Sequence, residues 1–205
     1  ACIQYVQAGA IDRSKLIELL SDIADESVRA SEIVAHLRSL VDKGESQLEC
    51  VDLRDIVSRI PQLLHGELER VNVALRIDLP ARPLRVDADR IQIEQVLLNI
   101  IQNAMESIQQ GDGAQRRIEL SARSTQGMAV VSVRDTGSGV SEAAAERMFE
   151  AFFTTKEQGL GIGLALSRSI LEAHRGRIWV ESPSDGGPGT IVRFGIPMRK
   201  PSAGR

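Results

Sequence analysis

Between residues 15 and 43 the apolar positions recur at steps of four and three. Leu16, Leu20, Ile23, Ser27, Ala30, Val34, Leu37 and Val41 follow one another at 4, 3, 4, 3, 4, 3, 4. This is a heptad seam, and it predicts one long helix. Asp12 and Ser14 are N-cap candidates, and Gly44 marks the end. Ile33 and Leu40 widen the stripe beyond a two-stranded seam, as a four-helix bundle requires. A lone helix cannot bury such a stripe, so the expectation is a helical hairpin that dimerises. Packing against the rest of the chain is the plainer alternative. The opening ACIQYVQAGAID, broken at Gly9 and starting at Ala1, reads as the end of an earlier helix. On that reading the chain is a piece of a longer protein.

After residue 44 the pattern changes. The polar segment 44–53 predicts a hinge to a second domain. A helix follows near Leu53–Glu69, with Pro61 expected to kink or split it. Val71, Val73, Leu75, Ile77 and Leu79 alternate strictly and predict a half-buried strand ending at Pro80. Leu84–Val86 reads as a short strand. Asp87 or Asp89 caps a helix that runs to about Gln110. Arg117–Arg123 and Met128–Arg134 are predicted strands around a Gln126-Gly127 turn, and a loop over 135–159 holds one short helix near Ser141–Met148. A helix at Leu160–His174 and strands at Arg177–Glu181 and Thr190–Ile196 complete the series. The expected fold is α+β, a two-layer α/β sandwich with helices on one face of a mixed sheet, preceded by the long bundle helix. The expected domains are residues 1–44, a partial dimerisation hairpin, and 45–198, the second domain, followed by a 199–205 tail.

Composition narrows the function classes. Lys plus Arg number 25 and Asp plus Glu 28, a net charge of −3, with the signs mixed along the chain. A nucleic-acid surface would carry a basic excess, so none is expected. No apolar run approaches the roughly 18 residues that span a bilayer, and no signal peptide opens the chain. Two cysteines, Cys2 and Cys50, make no disulfide framework. A soluble, cytoplasmic segment without membrane contact is expected, whatever anchor precedes it.

Four clusters carry candidate chemistry. In QVLLNIIQNA, Asn99 and Asn103 stand one turn apart on the same face of a helix, although Asn is a weak helix former. An amide oxygen is a competent Mg²⁺ ligand, and two solvated surface amides are the other reading. In VRDTGSGV, Asp135 ends a strand, where its carboxylate can accept a hydrogen bond from an amine, and Gly137 and Gly139 let backbone approach a ligand; alternatively this is an ordinary glycine turn. In MFEAFFTTK, Phe149, Phe152 and Phe153 are three of the chain's six aromatics, either anchors of a mobile segment or plain core, and Lys156 could reach a phosphate. In GLGIGL, Gly159, Gly161 and Gly163 feed a helix N-terminus, a ready anion site. It is neither a P-loop nor a dinucleotide fingerprint.

In this order the clusters resemble the N box, first glycine box, F box and second glycine box of the catalytic ATP-binding domain of two-component sensor histidine kinases. Gly189-Thr190 looks like the third short motif. The resemblance covers about residues 50–198, and the heptad helix resembles the second helix of the family's dimerisation domain. It implies a Bergerat ATP-binding fold, shared with type II topoisomerases, a heat-shock chaperone family and the MutL repair proteins. It implies ATP and Mg²⁺ as cofactors, with Asn103 holding the metal and Asn99 supporting the triphosphate. Asp135 would take the adenine amine, with Gly137 and Gly139 shaping the pocket, and Lys156, Gly161 and Gly163 would face the phosphates. Phe152, Thr155, Gly159, Leu164 and Thr190 complete the implied ATP-binding set.

The related ATPases usually carry a Glu four residues before the metal-binding Asn, where it activates water. Here that position is Asn99, which cannot act as a base. The departure favours phosphoryl transfer over hydrolysis. The family's acceptor is a histidine on the first dimerisation helix, and none of His36, His65 and His174 stands in that motif. The acceptor is therefore expected upstream of Ala1, with no catalytic residue of the transfer itself in this chain. The implied partners are a response regulator, whose aspartate receives the phosphoryl group, and a second copy of the chain. A Bergerat-type ATPase, an anti-sigma-factor type serine kinase and a nucleotide-sensing dimer module are the competing readings.

Overall fold

The computed structural model describes residues 14–17, 19, 20, 23, 48–111, 113, 115–156 and 159–199. The chain divides into two compact units, Ala1–Lys43 and Gly44–Arg205. In the first, the described residues are helical, and Leu16, Ile17, Leu20 and Ile23 are exposed. The rest of the predicted long helix lies outside the described residues, as does His36.

In the second unit a five-stranded sheet runs β2 (Ala74–Asp78), β4 (Arg117–Thr125), β5 (Met128–Asp135), β7 (Ile191–Pro197) and β6 (Arg177–Glu181) in spatial order. The β2–β4 pair is parallel and the other pairs are antiparallel, so the sheet is mixed. Strands β1 (Glu49–Asp52) and β3 (Arg85–Ala88) form a separate antiparallel pair. Burial alternates along the two central strands: Ile118, Leu120 and Ala122 on β4 and Ala129, Val131 and Val133 on β5 are inside. The helices α1 (Leu53–Arg70), α2 (Arg90–Gln110) and α4 (Gly163–Ala173) pack against the sheet, α2 on the central strands β4 and β5 and α4 on β6, β7 and α2, while α3 (Glu142–Arg147) buries no residue. The expected two-layer α/β arrangement is the one observed.

Local chemistry explains most element ends. Asp89 caps α2, its Oδ1 accepting from the amides of Ile91 and Gln92 at 3.0 and 3.2 Å. Gln126 and Gly127 have φ of 52° and 77°, both positive, as a two-residue hairpin of primed type needs.

Four expectations are corrected. The segment 44–53 is not all hinge: Glu49–Asp52 is a strand, because Val51 is buried opposite Val86. Helix α1 runs unbroken through Pro61. A proline inside a helix costs about 3 kcal/mol, and here Ile56, Val57, Ile60, Leu64 and Leu68 anchor the turns on both sides in the core. The strand predicted from Val71 starts at Ala74, since Val71 and Val73 belong to the end of α1: their amides donate to the carbonyls of Glu67 and Leu68 at 3.1 and 3.0 Å. The last helix starts at Gly163 rather than Leu160, because Gly161 turns the chain with φ of 65°. Among the described residues no helix is long and apolar enough to cross a membrane.

Candidate functional site

Helix α2 has two faces of opposite character. Ile93, Val96, Leu97, Ile100, Ile101, Ala104, Met105 and Ile108 are buried against the sheet and the neighbouring helices. On the other side Asn103 stands four residues after Asn99, and Glu106 and Ser107 stand three and four after Asn103, in one strip. The apolar face fixes the rotation of the helix, and the rotation delivers the strip to the site.

Asn99 donates from Nδ2 to the Gly163 carbonyl at 3.1 Å and to Ser167 Oγ at 3.4 Å, tying α2 to the first turn of α4. Asn103 donates from Nδ2 to the backbone carbonyl of Asn99 at 2.8 Å, which turns its Oδ1 outward. That oxygen accepts from Lys156 Nζ at 2.7 Å, and Lys156 also forms an ion pair with Glu106. Asn103 therefore presents a hard oxygen to a cation, a ligand chemistry that suits Mg²⁺.

The second centre surrounds Asp135, which is 4% exposed. Burial pushes its carboxyl above the usual range, opposed by hydrogen bonds led by that from the Gly137 amide, which donates to Oδ1 at 2.8 Å. Ser107 lies near enough to favour the charged form. The hydroxyls Ser107 Oγ and Thr190 Oγ1 are enclosed without a well-formed hydrogen bond among the described residues. A buried carboxylate beside two hydroxyls with bonding capacity in hand can read the polar edge of a heterocycle. Gly137 is glycine by necessity: a Cβ there would lie 2.2 Å from Ser107 Oγ and 2.6 Å from the Ser107 carbonyl carbon. Gly139, with φ of 79°, continues the turn beside the Gly189 carbonyl.

The third wall is the segment between α3 and α4. Phe149 packs against the core, Phe153 lies under the Arg147 guanidinium at 4.5 Å, and Phe152 is 73% exposed. Only part of the aromatic cluster is anchor. The Phe152 amide donates to the Gly161 carbonyl at 3.0 Å, joining the aromatic and glycine segments. Gly161 passes so close to Phe153 that a Cβ would lie 2.3 Å from its carbonyl oxygen. Ile162 gives α4 no side-chain cap, so the first amides of the helix stay open to an anion. Gly159 borders the Lys156 stem, Thr155 is exposed, Gly163 packs on Asn99, and Leu164 packs against the core.

The predicted residues thus fall into two centres beside helix α2, Asn99 and Asn103 with Lys156, and Asp135 with its glycines and Thr190, with the aromatic and glycine segments as a third wall. Sequence reasoning missed Glu106 and Ser107. The signal was available, since they stand three and four residues beyond Asn103 and must share its face.

Residues 88–200 match the family described as histidine kinase-, DNA gyrase B-, and HSP90-like ATPase. The sensor protein FixL of Bradyrhizobium diazoefficiens is 38% identical over 194 residues, 93% of this chain and 37% of FixL. The catalytic domain of histidine kinase ThkA superposes with a TM-score of 0.64 at 31% identity, over 74% of this chain and 96% of that one. ThkA in complex with the response regulator protein TrrA gives a TM-score of 0.76 at 26% identity, covering 96% of this chain and 55% of that one.

Proposed function

Because this chain belongs to the histidine kinase-, DNA gyrase B- and HSP90-like ATPase family and carries the ATP-binding core of a sensor histidine kinase, we propose that it binds Mg·ATP and transfers the γ-phosphoryl group to a histidine on another segment. From there the group passes to an aspartate of a response regulator. The single observation that carries this reading is the Asn103 amide, held by the Asn99 carbonyl with its oxygen turned toward a cation.

Asn103 Oδ1 would hold the metal, which neutralises charge on the phosphate oxygens when bound. Asp135 accepts from the adenine amine, with Thr190 beside it. Lys156 and the uncapped amides at the start of α4 take the phosphates. Transfer breaks the bond from the γ-phosphorus to the bridging oxygen, ADP leaves, and a P–N bond forms on the acceptor imidazole.

One observation favours transfer over hydrolysis, and a second favours an acceptor other than the described histidines. Asn99 is engaged as a donor to Gly163 and Ser167, and an amide cannot deprotonate water. The described histidines are poor acceptors. His174 is 4% exposed and both ring nitrogens are engaged: Nε2 accepts from the Asp89 amide at 3.0 Å and Nδ1 donates to the Ile170 carbonyl at 2.7 Å. His65 is exposed on α1 and its ring faces Glu69, one turn away.

The solved complex of ThkA with TrrA supports a response regulator as partner. The exposed Leu16, Leu20 and Ile23, on the heptad seam, support dimerisation through residues 1–44. The test uses γ-labelled ATP and Mg²⁺ with the full-length protein that carries this chain. Acid-labile label on protein, lost in Asn103→Ala, is expected. Free phosphate without protein label would replace the kinase reading by an ATPase.

A further inference from the structure

We propose that Lys156 stands in for the metal while the nucleotide is away, and that Glu106 is the positioning residue that holds it there. The inference rests on the Mg·ATP reading of this site and adds a competition built into it.

Lys156 Nζ sits on Asn103 Oδ1, the atom that would hold the metal, and pairs with the Glu106 carboxylate. An ammonium has donors only, so it satisfies the same oxygens that a cation would. The reach is prepared from the backbone side. The Lys156 amide donates to Thr154 Oγ1 at 3.1 Å, which fixes the turn that aims the side chain. Gly159 then leaves room for the stem: a Cβ at 159 would lie 3.2 Å from Lys156 Cβ and 2.7 Å from Thr154 Oγ1. The Lys156 and Glu106 side chains keep 25% and 45% of their exposure, so solvent weakens the pair.

Mg²⁺ demands near-octahedral oxygen ligands at about 2.1 Å and does not share one with an ammonium. Two like charges on one amide oxygen also repel strongly in a partly enclosed site. Binding is therefore an exchange. The metal takes Asn103 Oδ1, and the released ammonium becomes available to the phosphates that arrive with it. Since the Phe152 amide is bonded to the Gly161 carbonyl, the aromatic and glycine segments feel the exchange together.

A role for Glu106 as a second metal ligand makes the opposite forecast, which allows a decision. The first measurement is amide hydrogen exchange of the nucleotide-free chain over residues 152–156 and 159–162. Glu106→Gln and Lys156→Met should each exchange there about fivefold to tenfold faster than the unaltered chain. The double exchange Glu106→Lys with Lys156→Glu should recover the protection, which a generally loosened fold would not do. The second measurement is the Mg²⁺ concentration needed for half-maximal binding of a fluorescent ADP analogue. With the ammonium gone in Lys156→Met and no longer held at Asn103 in Glu106→Gln, it should fall about threefold to tenfold in each.

Unchanged exchange in both single variants, or a raised Mg²⁺ requirement in Glu106→Gln, overturns the proposal. If the chain bound no magnesium nucleotide at all while the exchange pattern held, the kinase reading would fall and the Lys156 contact with helix α2 would stand.

Discussion

Asn103 donates its side-chain amide to the backbone carbonyl of Asn99, 2.8 Å away and one helical turn earlier. The bond decides which end of the Asn103 side chain faces the site. A carboxylate cannot donate, so Asn103→Asp loses it and adds a negative charge beside the triphosphate. We expect Mg·ATP affinity to fall by about tenfold or more, with the thermal midpoint within a few degrees. Isothermal titration and a melting curve on the same sample test both halves.

Asp135 carries a pH signature. Burial raises its carboxyl, so the folded chain binds the proton more tightly than the unfolded chain does. Its contribution to stability therefore declines as pH rises through the folded value, and the full cost of the buried charge is present at neutral pH. Asp135→Asn removes that cost and keeps an oxygen for the Gly137 amide. The expected outcome is a melting temperature at pH 7 equal to or above that of the parent, with adenine nucleotide binding lost. A clearly lower melting temperature would show that the charge itself is structural.

Gly137→Ala should fail for a steric reason. The added Cβ meets the Ser107 hydroxyl and backbone, and the backbone belongs to helix α2, which cannot yield cheaply. Overpacking of this kind costs about 1–3 kcal/mol. Urea unfolding reads that loss, and a parallel binding assay should show weaker nucleotide affinity because Ser107 and Asp135 are pushed apart.

Asp52 joins three elements. It caps α1 by accepting from the Arg54 amide at 3.1 Å, accepts from the Leu84 amide at 3.0 Å ahead of β3, and pairs with the Arg54 guanidinium. Burial pushes its carboxyl up, but the hydrogen bonds and the guanidinium outweigh it and hold the group below its ordinary value. Its stabilisation is thus present above the unfolded value and disappears as pH falls through the folded one. Asp52→Ala should cost about 1–2 kcal/mol at pH 7. The difference from the parent should vanish in strong acid, a pattern that denaturant curves at several pH values would reveal.

Much of the candidate site is legible in the sequence alone. The spacing of Asn99 and Asn103, Asp135 ahead of two glycines, and glycines at the head of a helix are local patterns. Their chemistry depends on a helix face, a strand end and open amides, each set by a few neighbouring residues. The order of the elements was equally legible, because periodicity switches between two and 3.6 along the chain.

Other features depend on what each segment meets. The short stretch at Glu49–Asp52 looks like linker until Val86 arrives to bury Val51. Pro61 looks like a break until the core holds the turns on both sides of it. Val71 and Val73 alternate like a strand, yet their amides close the end of α1. The parallel pairing of β2 with β4 brings together residues 74 and 117, which no local pattern relates.

The sequence by itself determined which candidate side chains share a helix face, end a strand or head a helix, because residue type and helical or strand period are local properties. Only the tertiary structure decided that Lys156 rests on Asn103 and Glu106, fifty-odd residues away. That contact requires helix α2 and the segment before α4 to be packed at one distance and one rotation, which only the shared apolar core imposes.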